Sequence, residues 1–170
     1  MIEEDLALLL DVLGLKALDR TGWVRRGVQN AESVAAHSWG VAWLVLALCP
    51  PDLNRERALA YAVLHDLPEV RVGDLTPHDA VADKHLQEDQ AAEAMLATRP
   101  DLLATWRAYE AQADPEARLV RQLDRLDMAL QARRYAREQG LDPDEFFESA
   151  RSAVTDPRLQ RLLDRLVACL

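Results

Sequence analysis

Apolar positions along this chain recur with a helical rather than a strand period almost from end to end. Leu6, Leu9, Leu10, Leu13 and Leu18 mark one stripe and predict a first amphipathic helix over roughly residues 3–18. Residues 19–31 break the stripe with Gly22, Gly27, Arg20, Arg25 and Arg26, which predicts a loop. Glu32-Ser33 then open a second helix that stops before Pro50-Pro51. Asn54 caps a third, which carries Ala58, Ala60, Ala62 and Leu64 up to His65-Asp66. Gly73-Asp74 and Thr76-Pro77 interrupt the pattern. A polar helix is predicted over about residues 79–98, and a shorter one from Pro100 to about Ala111. Asp114-Pro115 starts a long helix that reaches Gln139 and is stopped by Gly140, and Asp142-Pro143 and Asp156-Pro157 open two more. No linker or low-complexity stretch divides the chain, so the expectation is an all-α fold with one domain over residues 1–170.

An internal echo pairs Arg118–Leu126 with Arg158–Leu166. A duplication would make Asp124 and Asp164 equivalent. Two amphipathic helices with leucine faces and arginine flanks also look alike without common descent, and that plainer reading is adopted.

Composition narrows the function classes. A chain of 170 residues with 49% hydrophobic content can bury a core without disulfides, and six glycines leave little for a turn-rich β fold. Cys49 and Cys169 have neither metal nor redox spacing and read as reduced thiols of a cytoplasmic protein. The acidic start Glu3-Glu4-Asp5 does not resemble a signal peptide, and the apolar run 41–49 is too short to span a bilayer. A net charge of −9 argues against binding nucleic acid polymers or anionic membranes, but leaves room for a small anionic substrate near the Arg20, Arg25 and Arg26 cluster.

The chemistry centres on Leu64-His65-Asp66-Leu67-Pro68-Glu69. Adjacent imidazole and carboxylate offer nitrogen and oxygen to one divalent ion, and Glu69 returns to their face on a helix. Taken singly, each residue has a plainer role: His37 a packed imidazole, Asp66 a helix-end carboxylate. A carboxylate at a helix C-terminus is electrostatically disfavoured, which argues for a cation nearby. Asp124 and Asp127 compete as a further ligand, and spacing alone does not choose between them. His78 and His85, in or beside the polar segment, read as solvated.

The order His37…His65-Asp66…Asp124 resembles the H…HD…D signature of the HD superfamily of metal-dependent phosphohydrolases. Arg20-Thr21-Gly22-Trp23-Val24, Glu32–Ser38, His65–Glu69, Gly73-Asp74-Leu75, Trp106–Glu110 and Gln122-Leu123-Asp124 are similar to its 5′-deoxynucleotidase branch, over roughly residues 15–135. The resemblance implies an HD-domain helical bundle in which His37, His65, Asp66 and Asp124 hold one divalent metal ion, of which Mn, Co, Fe, Ni, Zn and Mg are the candidates. It maps the last ligand to Asp124 rather than Asp127 or Asp164. Glu69 matches an essential catalytic carboxylate that orients or deprotonates the attacking water, and Asp74 the acidic catalytic residue of the Gly-Asp turn, which contacts the sugar or helps to protonate the leaving 5′ oxygen. Arg20 matches the phosphate-binding arginine, with Trp23 and Lys84 as further substrate-binding candidates. The implied reaction is release of phosphate from deoxyribonucleoside 5′-monophosphates, by a homodimer. The alternatives are an HD phosphohydrolase of polyphosphate, cyclic or ribonucleotides, and a non-catalytic helical nucleotide-binding module. One departure stands out: the position before the first histidine, commonly acidic in this branch, is Ala36, which removes one means of orienting His37.

Overall fold

The computed structural model describes residues 2–75 and 84–168. Among the described residues the regular structure is helical: α1 (Ile2–Val12), a 3-10 turn (Leu13–Lys16), α2 (Thr21–Arg25), α3 (Val34–Leu48), α4 (Arg55–Leu64), α5 (Glu69–Val72), α6 (Lys84–Met95), α7 (Pro100–Glu110), α8 (Pro115–Gln139), α9 (Asp144–Ala153) and α10 (Pro157–Ala168).

Capping chemistry fixes the helices that matter most. Ser33, Asn54 and Asp114 stand at the N-termini of α3, α4 and α8, and each accepts from the backbone N–H three residues on. Tyr61 donates its hydroxyl to Asp114 Oδ2 at 2.6 Å, which ties α4 to the start of α8. Gly140 ends α8 in the left-handed conformation, with φ 73°. The 25-residue α8 runs through the middle of the fold and packs against α3, α4, α7, α9 and α10.

Two apolar clusters build the core. The larger joins Val41, Val45, Ala58, Ala62, Val120, Leu123, Ala129, Phe147, Leu159 and neighbours. The smaller holds Leu15, Val34, Leu64, Leu67, Met95 and Leu96. On α3, Val34 belongs to the smaller and Val41 to the larger, and on α4 Leu64 and Ala62 divide in the same way. His37 and His65 therefore lie on the seam between them.

The N-terminal third departs from the sequence expectation. α1 ends at Val12, and Leu6, Leu9, Leu10 and Leu13 are exposed, while Leu8, Val12, Leu15 and Leu18 turn to the smaller cluster. Leucines occupy adjacent positions 8, 9 and 10, so periodicity alone selects no single face. Gly14 lets the 3-10 turn sit against α5, because a Cβ there would come 2.6 Å from Val70 Cγ2. Within the expected loop 19–31, the short α2 forms around Trp23, whose burial against Tyr135 and Phe146 supplies what its low helix propensity lacks. The polar helix is seen from Lys84 to Met95; its expected start and His78 lie outside the described residues, as does Cys169. Asp164 is exposed on α10, unlike Asp124.

Candidate metal centre

Three separate stretches of backbone deliver the four candidate ligands. His37 sits in the first turn of α3 and is fully buried. His65 caps the C-terminus of α4, and Asp66 follows it in the turn toward α5. Asp124 projects from the middle of α8. His37 Nε2 is 3.1 Å from Asp124 Oδ1, 3.7 Å from Asp66 Oδ2 and 3.4 Å from His65 Nε2. His65 Nε2 is 3.1 Å from Asp66 Oδ2.

Both rings have their other nitrogen engaged away from this point. His65 Nδ1 is 2.9 Å from the carbonyl of Ala62, and His37 Nδ1 is 2.8 Å from Asp127 Oδ2. A neutral ring that donates from Nδ1 presents its Nε2 lone pair to the shared space. Two nitrogen lone pairs and two carboxylates then face one another, an arrangement that a cation stabilises. Donor atoms about 2.1 Å from one ion lie about 3.0–3.4 Å apart in octahedral or tetrahedral geometry. The His37–Asp124, His37–His65 and His65–Asp66 separations fall in that range. His37, His65 and Asp124 form the compact group, and Asp66 lies farther out at 3.7 Å from His37 Nε2. The residues fit a divalent metal.

The electrostatics point the same way. Burial and the Arg20 charge oppose protonation of His37, but hydrogen bonds to Asp124 and Asp127 outweigh them and push its pKa up to about 9. His65 is likewise raised, burial being overcome by Asp66. Burial disfavours ionised Asp66 and Asp124, yet the facing imidazoles, with Arg20 for Asp66, hold both well below the usual carboxylate range. Without an ion the site attracts protons instead.

The backbone around it is tightly set. Trp106 Nε1 donates to the His65 carbonyl at 3.2 Å, and the edge of Tyr109 meets the His65 ring. Arg20 is anchored by its own N–H to Glu32 O at 2.9 Å, and Val34 N–H donates to Leu18 O at 2.8 Å, so the segment before Arg20 runs beside the start of α3. Its guanidinium reaches Asp66 Oδ2 at 3.3 Å and Asp74 Oδ1 at 3.7 Å. Burial works against that charge, but Asp66, Asp74, Asp124 and Glu69 more than restore it. Gly73, at φ 83°, closes α5 and turns the chain so that Asp74 Oδ2 accepts from the Thr21 N–H.

Glu69 is buried, and its Oε2 has no hydrogen-bond partner among the described residues. Burial, then the nearby Asp66 and Asp74 charges, push its pKa up to about 10. Lys84 Nζ donates to Leu75 O at 2.7 Å and lies 3.4 Å from Glu88, so it braces the segment after Asp74. Trp23 is buried, and its Nε1 donates to Glu32 Oε1 at 2.9 Å; it packs beneath the Arg20 turn rather than facing open space. His85 is exposed, 3.7 Å from Glu110. The sequence does not single out Asp127, Trp106 or Glu32 as supports of the site. The first had been weighed only as a rival to Asp124, and nothing local signals that its carboxylate crosses to α3.

A family model for the HD domain matches residues 12–165. The 5′-deoxynucleotidase HDDC2 of Danio rerio is 36% identical over 161 residues, spanning 89% of this chain and 80% of its own length. The human 5′-deoxynucleotidase HDDC2 is 34% identical over 166 residues, with 91% and 80% covered. Among solved structures, a Pyrococcus horikoshii protein superposes with a TM-score of 0.80 at 33% identity, covering 98% of each chain. With that match over nearly its whole length, and with the histidines and aspartates of the signature gathered at one point, the chain belongs to the HD domain family.

Proposed function

We propose that this protein is a metal-dependent 5′-deoxynucleotidase that cleaves deoxyribonucleoside 5′-monophosphates to deoxynucleoside and phosphate. The observation that carries the reading is the convergence of His37, His65, Asp66 and Asp124 with Arg20 directly beside them. The relatives named 5′-deoxynucleotidase support the substrate class.

His37, His65, Asp66 and Asp124 would hold the ion, which when bound acidifies water and draws charge from a phosphoryl oxygen. Arg20 supplies fixed positive charge for the phosphate oxygens and needs no rearrangement, because Asp66 and Asp74 already hold it. Ionised when a cation lies beside it, Glu69 Oε2 would take the proton from the attacking water as the water oxygen bonds to phosphorus, and the departing 5′ oxygen would take up a proton from solvent as its bond to phosphorus breaks. Among the described residues that oxygen of Glu69 has no hydrogen-bond partner, so it is open to accept, and its raised proton affinity belongs to the metal-free protein and would fall with a cation bound beside it. Asp74 holds the Thr21 backbone and Arg20 in place, next to where the sugar would lie. Lys84 supports Asp74 through Leu75, and Trp23 supports the Arg20 turn from below.

The functional unit is the whole chain acting as one domain, in the cytoplasm, as a homodimer. Trp39 and Trp43, 71% and 55% exposed on one face of α3 with Leu46, support a self-association surface. No described helix is long and apolar enough to cross a membrane.

The test is phosphate release from deoxyribonucleoside and ribonucleoside 5′-monophosphates, nucleoside triphosphates and cyclic nucleotides, each with Mn, Co, Mg and Zn. Preferential hydrolysis of the deoxyribonucleoside 5′-monophosphates is expected. Preference for a triphosphate or cyclic nucleotide would replace this substrate with another, and release from none would refute the enzymatic reading.

A further inference from the structure

His37 is held at both ring nitrogens by one turn of a single helix. Asp124 and Asp127 are three residues apart on α8 and so share a face. The first lies 3.1 Å from Nε2 and the second 2.8 Å from Nδ1. The residue before His37 is Ala36, so that position supplies no carboxylate to the ring.

The approach of Asp127 depends on a second residue. Gly40 stands in the interior of α3, three positions after His37, where glycine is ordinarily unfavourable. It is not among the glycines with positive φ, so backbone conformation does not require it. Space does: a Cβ at position 40 would collide with Asp127 Oδ1 and come within 2.9 Å of its Cγ. With no side chain there, the carboxylate comes close to α3 and reaches Nδ1.

We propose that Asp127 is the positioning residue for His37 as a metal ligand, and that the missing side chain at Gly40 is what admits it. The proposal rests on the metal-centre reading above. An accepted Nδ1–H fixes the tautomer that leaves Nε2 free to coordinate, sets the ring plane, and raises the basicity of Nε2. His65 receives the weaker form of the same support, from the Ala62 carbonyl. Asp127 lies on the Nδ1 side of the ring, away from the Nε2 that faces His65 and Asp124, so its effect on the ion is read in metal affinity.

The experiment is calorimetric titration of Mn²⁺ alone into the metal-stripped full chain, for the wild type, Asp127→Asn, Asp127→Ala, Gly40→Ala and the Gly40→Ala/Asp127→Ala double variant. Thermal melts establish that each is folded. Loss of such a partner weakens metal binding by about 10- to 100-fold, and that loss is expected for both Asp127 variants. Gly40→Ala should produce a comparable loss, although alanine favours the helix and adds nothing near the ion. In the double variant, alanine at position 40 should cause no further loss, because no carboxylate remains to be displaced. Folded Asp127 variants that bind Mn²⁺ within about threefold of the wild type overturn the proposal, set against the expected range. So does a Gly40→Ala loss that adds in full to that of Asp127→Ala. Absence of binding by the folded wild type itself would instead remove the metal centre, and the positioning role with it.

Discussion

Replacing Glu69 with Gln in the metal-free protein should change how stability depends on pH, by an amount the structure sets. The Glu69 carboxyl is buried among Asp66 and Asp74, and its pKa rises from 4.5 to about 10. Its folded-state pKa thus lies above its unfolded one, so its contribution to stability is full below about pH 4.5 and is lost as pH rises toward 10. Between those limits the unfolded chain carries the ionised carboxylate and the folded chain the neutral acid. The loss is about 1.4 kcal/mol per pH unit. From about pH 6 to about pH 8 the wild type should therefore lose about 3 kcal/mol more than Glu69→Gln. That slope does not depend on how far above 8 the folded pKa lies. Any fixed cost of burying the Gln amide cancels in the comparison. Urea denaturation of both proteins at the two pH values, with chelator present, measures the difference directly. Parallel stability curves would refute the account of Glu69 as a buried carboxyl that keeps its proton.

Two further substitutions probe the surroundings of the site. Arg20→Ala should lower kcat/KM for deoxyribonucleoside 5′-monophosphates by about 100- to 1000-fold, the scale for removing one preorganised charge-stabilising donor; steady-state kinetics with Mn²⁺ check this, and a loss below about tenfold would exclude a phosphate-binding role. Trp106→Phe leaves the His65 carbonyl without its indole donor, which should cost about 1–3 kcal/mol; an unchanged urea midpoint would show that the bond contributes nothing.

Much of the architecture was legible because the signals were local. Ser33, Asn54 and Asp114 announce α3, α4 and α8, and these helices carry His37, His65 and Asp124. The adjacency of His65 and Asp66 at the end of α4 is likewise visible in the sequence. The first stripe misled because consecutive leucines offer several faces, and tertiary packing chose Leu8 and Val12. Trp23 looked like part of a binding motif, yet its ring fills space between Tyr135 and Phe146. The contact of Asp127 with His37 spans 90 residues and requires an absent side chain at Gly40, so no local pattern could carry it.

The central claim is that His37, His65, Asp66 and Asp124 hold a metal on which hydrolysis depends. Its most direct test is phosphate release from a deoxyribonucleoside 5′-monophosphate by metal-stripped protein before and after Mn²⁺ is restored, with Asp124→Ala alongside. The account predicts no release from the stripped protein, recovery on addition of Mn²⁺, and no recovery in the folded variant. Release that survives stripping, or an Asp124→Ala variant as active as the wild type, would contradict it.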